Sequence, residues 1–310
     1  LKKPNPWVLA ARPKTLPAGA GPVLLGLAAA YSFIGKVDIF IGLITLICAL
    51  LLQVSSNLIN DYYDGVGGLD DENRLGPPRA VALGLLEPKQ VKRGFQITLL
   101  LSFVLGVILM IKGGLPIIMI GLSSLFFSWA YTGGPFPLSH LGLGEIFAYL
   151  FFGPIAVLGT FILQLNNIES FFYSHYFYQI LALGSGVGVI SSALMGVNNL
   201  RDRFTDEDKG KITLATLLGG HKMRKLIILF LISSQFLGML SLYLGSFKPF
   251  SLLYITGIVP FILFSKVWWQ LLGSTDGKEL NNTLATVGKY LFLYSLFFGG
   301  LLIATTRTSL

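Results

Sequence analysis

Apolar residues run through this chain in long blocks rather than alternating with polar ones. The blocks cover residues 16–35, 39–58, 94–111, 115–131, 146–165, 176–197, 226–245, 252–271 and 290–306. Each is close to the roughly 20 residues that an α-helix needs to cross a bilayer core. A membrane β-barrel would instead show strands of about 10 residues with strict alternation. The pattern predicts an all-α membrane protein of nine transmembrane helices, forming a single domain over residues 1–310 with no room for a separate soluble module. The first block follows a basic stretch and continues to full membrane length, so it reads as a retained span rather than a cleaved leader.

Composition agrees, with 53% hydrophobic residues, 12% charged and a mean hydropathy of +0.71. The distribution of charge says more. Among 23 Lys and Arg, all but Lys36, Lys112, Lys248 and Arg307 fall on the side of the N-terminus when the nine spans are threaded in order. By the positive-inside rule, that side is cytoplasmic. The net charge of +8 then serves anionic lipid headgroups and phosphorylated metabolites, and not nucleic acid. Cys48 is the single cysteine and lies inside a span, which excludes a disulfide and a cysteine metal site.

Acidic residues gather where two apolar blocks end. Asn57, Asn60, Asp61 and Asp64 close the second block, and Asn198, Asn199, Asp202 and Asp206 close the sixth. Steps of three and four residues bring such side chains onto one helix face. The matched Asn-to-Asp spacing, 57 to 61 and 198 to 202, is that of an internal duplication or of two helix ends that converged on the same polar terminus. An isolated Asp at a helix end is ordinarily a cap. Two carboxylate strips on the same side of a membrane repel their own members unless a cation sits between them. The ion expected is Mg²⁺, which prefers oxygen, keeps several waters, and combines one or two carboxylates with substrate phosphate oxygens. Asp61, Asp64, Asp202 and Asp206 are the candidate ligands. Arg12, Lys14, Arg74, Arg79, Arg201, Lys209 and Lys211 flank them as basic residues suited to phosphate, with Arg79 and Lys211 the candidate diphosphate ligands.

At these residues the chain resembles the UbiA superfamily of intramembrane aromatic prenyltransferases, in particular its 1,4-dihydroxy-2-naphthoate branch. The motifs carrying the resemblance are Ala11-Arg12-Pro13-Lys14-Thr15, Asn60-Asp61-Tyr62-Tyr63-Asp64, Asn73-Arg74 through Arg79-Ala80, Tyr131-Thr132-Gly133-Gly134-Pro135 with Gly144-Glu145, and Asn198 through Asp202 with Asp206 and Lys211. Gly68 stands where the broad superfamily pattern has a third Asp, and the longer spacing of the branch implies Asp70 as the metal ligand in its place, with Asp71 beside it as the alternative. The resemblance implies a helical bundle around a central cavity in a bacterial cytoplasmic membrane. Its reaction would be Mg²⁺-dependent transfer from a polyprenyl diphosphate to 1,4-dihydroxy-2-naphthoate, with loss of diphosphate and CO₂. Asp61, Asp64, Asp202, Asp206 and Lys211 would be catalytic, and Asn57, Asn60, Tyr131, Glu145, Asn198, Asn199 and Arg201 would bind substrates. Tyr131, Tyr149, Phe126 and Phe152 would wall the allylic cation, Glu145 or Asp64 would accept a phenolic proton, and His140 would be a loop hydrogen-bonder. Acceptors such as 4-hydroxybenzoate or homogentisate fit the same acidic motifs. A cation-coupled transporter would instead place its acids near the middle of the spans.

Overall fold

The computed structural model describes residues 5–68, 75–135, 137–245, 258–273 and 277–307. Twelve α-helices follow one another along the described chain. They are α1 (Pro6–Ala11), α2 (Leu16–Ile34), α3 (Ile39–Val66), α4 (Pro88–Ala130), α5 (Gly144–Phe152), α6 (Pro154–Ile162), α7 (Glu169–Phe172), α8 (His175–Asp208), α9 (Leu214–Leu244), α10 (Val259–Leu263), α11 (Ser265–Gly273) and α12 (Gly277–Arg307). The sequence supplies local reasons for several starts. The Asp38 side chain accepts from the Ile41 amide at 3.1 Å, Glu87 and Gln90 form a capping box ahead of α4 with Pro88 in its first turn, and Thr213 and Thr216 form another ahead of α9.

Seven helices among the described residues are long and apolar enough to cross a membrane. The nine expected spans differ from this tally at two places. Blocks 94–111 and 115–131 are joined within α4, whose 43 residues would stretch about 65 Å if straight, roughly twice a bilayer core. The helix does not run straight. Gly114 adopts φ 63° and ψ −154°, open to glycine but strained for other residues, and Pro116 follows. The Met110 methyl lies where a Cβ on Gly121 would come within 2.5 Å of it. Residues so far apart on a straight helix would be about 16 Å away from each other, so α4 doubles back at Gly114 as two antiparallel arms. The other place is block 252–271, of which 252–257 fall outside the described residues.

α8 is the axle of the bundle. It packs against α9, α5, α6 and α12, while α3 pairs with α4 and α2 lies between α12, α6 and α3. In its most apolar stretch 78% of α8 is buried, against 22% for α4, so α8 is central and α4 faces lipid. The crossing of α8 with the α5–α6 break is backbone on backbone. A Cβ on Gly153 would stand 2.4 Å from Gly188 Cα and 2.7 Å from the Gly184 carbonyl oxygen, the close approach that small residues four apart allow in membranes. Deeper in the bundle, Tyr290 receives hydrogen bonds from Gln235 and shares one with Ser234, and Tyr294 donates to the Ser234 carbonyl at 2.8 Å. These bonds tie α9 to α12 without leaving the donors exposed to hydrocarbon.

Candidate active site

The two acidic strips meet. The ends of α3 and α8 converge on a cavity lined by Asn60 and Asp64 from one side and by Met195, Asn198, Asn199, Asp202, Thr205, Asp206 and Lys209 from the other. Arg12, Arg79, Tyr131, Thr132, Ser139 and Lys211 complete the wall. The α8 contribution recurs at three- and four-residue steps, which is one helix face. Asn60 accepts a hydrogen bond from the Thr132 hydroxyl.

Each lining carboxylate is matched to a cation. Arg79 reaches Asp64 at 2.7 Å, Arg201 grips Asp202 through Nε at 2.8 Å and Nη2 at 2.6 Å, and Lys211 stands 3.3 Å from Asp206. Gly210 makes the last pair possible. Its φ of 68° turns the chain at the end of α8, so that the Lys211 amide returns to the Asp206 carbonyl at 2.8 Å and its ammonium to the Asp206 carboxylate. A parallel bridge between Leu141 and Ile212, with the Gly142 amide donating to the Ile212 carbonyl at 3.0 Å, fixes this turn to the 132–143 loop. In that loop, partial burial and then the Lys211 cation hold the His140 imidazole below its ordinary pKa, with Asp64 acting in the opposite sense.

Several expected site residues stand behind the wall. Asp61 is 1% exposed, and its two oxygens accept from the Ala80 and Val81 amides, each at 3.0 Å. It therefore anchors the segment that carries Arg79, one helical step away from the face on which Asn60 and Asp64 look into the cavity. Asn57 donates to the Ala11 carbonyl and the Thr15 hydroxyl, both at 3.0 Å, and so holds the segment carrying Arg12. Arg12 has φ 52°, the single positive value outside glycine among the described residues. Such a conformation costs roughly 1–3 kcal/mol and persists where the surroundings impose it. Lys14 is exposed on the 3₁₀ turn Pro13–Thr15 and does not line the cavity. Glu145 is buried behind Asn199, which donates to it at 3.0 Å, and its other carboxylate oxygen has no hydrogen-bond partner. Asp70, Asp71 and Arg74 lie outside the described residues.

The expected aromatic wall is thinner than the sequence suggested. Tyr131 lines the cavity, its hydroxyl directed at the Met195 sulfur at 3.6 Å. Tyr149 instead shares a hydrogen bond with Ser185 at 2.8 Å, and Phe126 is 56% exposed on the second arm of α4, where apolar side chains face lipid. Neither Tyr149, Phe126 nor Phe152 lines the cavity. Sequence reasoning missed Thr132, Ser139, Met195 and Thr205. Extending the α8 face by further steps of three and four would have found the last two of these.

The donor set suits a hard divalent cation. Asp64, Asp202, Asp206, Asn60 and Asn198 offer oxygen, and Asp206 Oδ2 is buried without a hydrogen-bond partner, an acceptor that a cation would satisfy. Among the described residues no three His, Cys, Asp or Glu side chains stand close enough together to hold a metal ion unaided, so an ion in this cavity would need amide, water or substrate phosphate oxygens as well.

The described residues thus form a helical membrane bundle with paired acidic helix ends around a polar cavity. The chain belongs to the UbiA prenyltransferase family, whose model matches residues 20–304. It is 32% identical to the 1,4-dihydroxy-2-naphthoate octaprenyltransferase of Mycobacterium tuberculosis, over 96% of each chain. It is likewise 32% identical to the enzyme of that name from Escherichia coli, over 73% of this chain and 72% of the relative. In three dimensions it is similar to a UbiA homologue from Archaeoglobus fulgidus bound to GPP and Mg²⁺, with a TM-score of 0.62 at 15% identity, covering 96% of this chain and 99% of the other. The apo UbiA homologue from Aeropyrum pernix gives a TM-score of 0.63 at 13% identity, over 94% and 97%. The chain is a prenyltransferase of this family.

Proposed function

We propose that this enzyme transfers a polyprenyl group from its diphosphate to 1,4-dihydroxy-2-naphthoate, releasing diphosphate and CO₂ and yielding a demethylmenaquinol-type product. The observation that carries the proposal is the convergence of Asp64 with Asp202 and Asp206 beside Arg79 and Lys211, taken together with the shared name of the bacterial relatives. Nine spans in the cytoplasmic membrane, with the N-terminus and both acidic helix ends inside, belong to the same proposal and rest on the Lys and Arg bias. Acids at the helix ends rather than at mid-span favour this reading over a cation-coupled transporter.

When bound, Mg²⁺ supplies Lewis-acid neutralisation of the departing diphosphate, and Asp64, Asp202 and Asp206 would hold it. Arg79, Lys211 and Arg12 take the remaining diphosphate oxygens, their charges already turned into the cavity. The allylic C–O bond breaks with its electron pair leaving on diphosphate. The Tyr131 ring offers a π-face to the allylic cation and keeps water from it. The naphthoate ring carbon that bears the carboxylate forms the new C–C bond, and its bond to the carboxylate then breaks, releasing CO₂ and returning the electron pair to the ring. The step therefore needs no dedicated base at carbon. Asn199, with Glu145 behind it, is placed to orient an acceptor hydroxyl.

The test is product analysis with purified protein, Mg²⁺, isoprenyl diphosphates from C10 to C40 and a panel of aromatic acceptors. Prenylated naphthoquinol with matching CO₂ release is expected. Use of 4-hydroxybenzoate or homogentisate alone would overturn the acceptor assignment.

A further inference from the structure

We propose that Asn281 is a positioning residue that fastens the segment following the first acidic helix end to the guanidinium supporting the second. The inference rests on reading the two helix ends as the metal–diphosphate site. Asn281 lies near the start of α12, outside every motif that the sequence singles out, and it does not line the cavity. Its Oδ1 accepts from Arg201 Nη1 at 3.0 Å, and its Nδ2 donates to the Leu75 carbonyl at 2.8 Å. Arg201 is 2% exposed and spends its other contacts on Asp202 through Nε and Nη2 and on Asn198 through Nη2 at 2.8 Å.

The chemistry of the side chain matters here. A carboxamide presents an acceptor and a donor on one rigid plane, which neither a carboxylate nor an aliphatic group can do. Arg201 needs an acceptor and Leu75 needs a donor, and a single Asn satisfies both. The buried guanidinium in turn fixes the Asp202 oxygens that border the cavity, because a charge so far from water keeps its orientation only while its N–H groups are matched. Leu75 begins the segment that Asp61 pins at Ala80 and Val81, and Arg79 lies between these two attachments. A second observation supports the placement. A Cβ on Gly277 would stand 2.5 Å from the Leu75 side chain and 3.4 Å from the Arg201 carbonyl oxygen, so the start of α12 sits flush against both partners.

The experiment compares the full-length protein with Asn281→Ala and Asn281→Asp, the second keeping an acceptor for Arg201 while losing the donor to Leu75. Hydrogen exchange of amides in 75–87, measured on metal-free protein, is expected to quicken about tenfold in both variants, in line with loss of one bond to a buried partner. In turnover assays the KM for geranyl diphosphate and the Mg²⁺ concentration for half-maximal rate should rise about tenfold in Asn281→Ala. The acceptor KM and kcat should stay within about twofold. Unchanged exchange with an unchanged donor KM overturns the inference, as does a fall in kcat alone, which marks a smaller folded fraction. Should Asn281→Ala not fold, exchange and donor KM in Asn281→Asp decide the matter. A wild-type protein without Mg²⁺-dependent prenyl transfer would sink the site reading, and the exchange result would still judge Asn281 by itself.

Discussion

Replacing Asp61 by Asn separates a metal ligand from an anchor. The carboxylate accepts from two backbone amides, Ala80 and Val81, at 3.0 Å each, in a place that is 1% exposed. Asn offers one acceptor oxygen and turns an NH₂ group toward the second amide, so one N–H is left facing a donor. A hydrogen bond to an ionised group contributes about 1.5–3 kcal/mol, and an orphaned buried amide costs about 1–3 kcal/mol more. At 1.4 kcal/mol per factor of ten, the first figure alone predicts that exchange of the unmatched amide accelerates roughly 10- to 150-fold. Exchange should be followed by mass spectrometry on peptides spanning 75–87, beside a Mg²⁺ titration of turnover. The anchored segment carries Arg79, so donor KM should rise and kcat fall, while the Mg²⁺ midpoint at saturating donor stays near that of the wild type. A large shift of that midpoint with unaltered exchange at Ala80 and Val81 would refute the argument and make Asp61 a ligand.

Asp206→Asn should lower turnover at least ~100-fold, the usual loss when one electrostatic element of a preorganised site is removed. Its thermal unfolding in detergent should match the wild type. EDTA should abolish wild-type activity and Mg²⁺ restore it, whereas added Mg²⁺ should not rescue Asp206→Asn. Gly144→Ala places a Cβ 2.8 Å from the Tyr131 hydroxyl. The ring must then move, and because it is assigned to the allylic cation, steady-state kinetics should show about a tenfold fall in kcat with little change in either KM. For His140, whose folded pKa is depressed, the folded protein binds fewer protons than the unfolded chain just below the ordinary value of 6.5. Stability should therefore fall as pH drops through that region, and a His140→Gln variant should show a flatter dependence of Tm on pH.

The spans and the acidic strips could be found from the sequence because both are local patterns. Long apolar blocks report helices, and steps of three and four report a shared face, which is why Asn60, Asp64, Asn198, Asp202 and Asp206 do line one cavity. Direction around the helix is harder. Asp61 is adjacent to Asn60, yet one residue is a turn of about 100°, enough to send its carboxylate to the Ala80 and Val81 amides. The role of Asn57 was hidden because its partners, Ala11 at the end of α1 and Thr15 on the 3₁₀ turn that follows, lie far from it along the chain. Asn281 carried no local signal at all, because its meaning resides in Leu75 and Arg201, both far away along the chain. Composition could not rank the aromatics either. Phe126 and Tyr131 look equivalent as residues, but only one of them is turned inward.

Contact between Gly153 and Gly188 leaves no layer of side chains to absorb an added atom. The α5–α6 pair and α8 must therefore shift as one rigid unit if they shift at all. Glu145 and Asn199, one on each member of that unit, then keep their mutual distance when the unit moves. A single methyl group at 153 would meet only backbone and so drive α5–α6 away from α8 without altering any residue that lines the cavity.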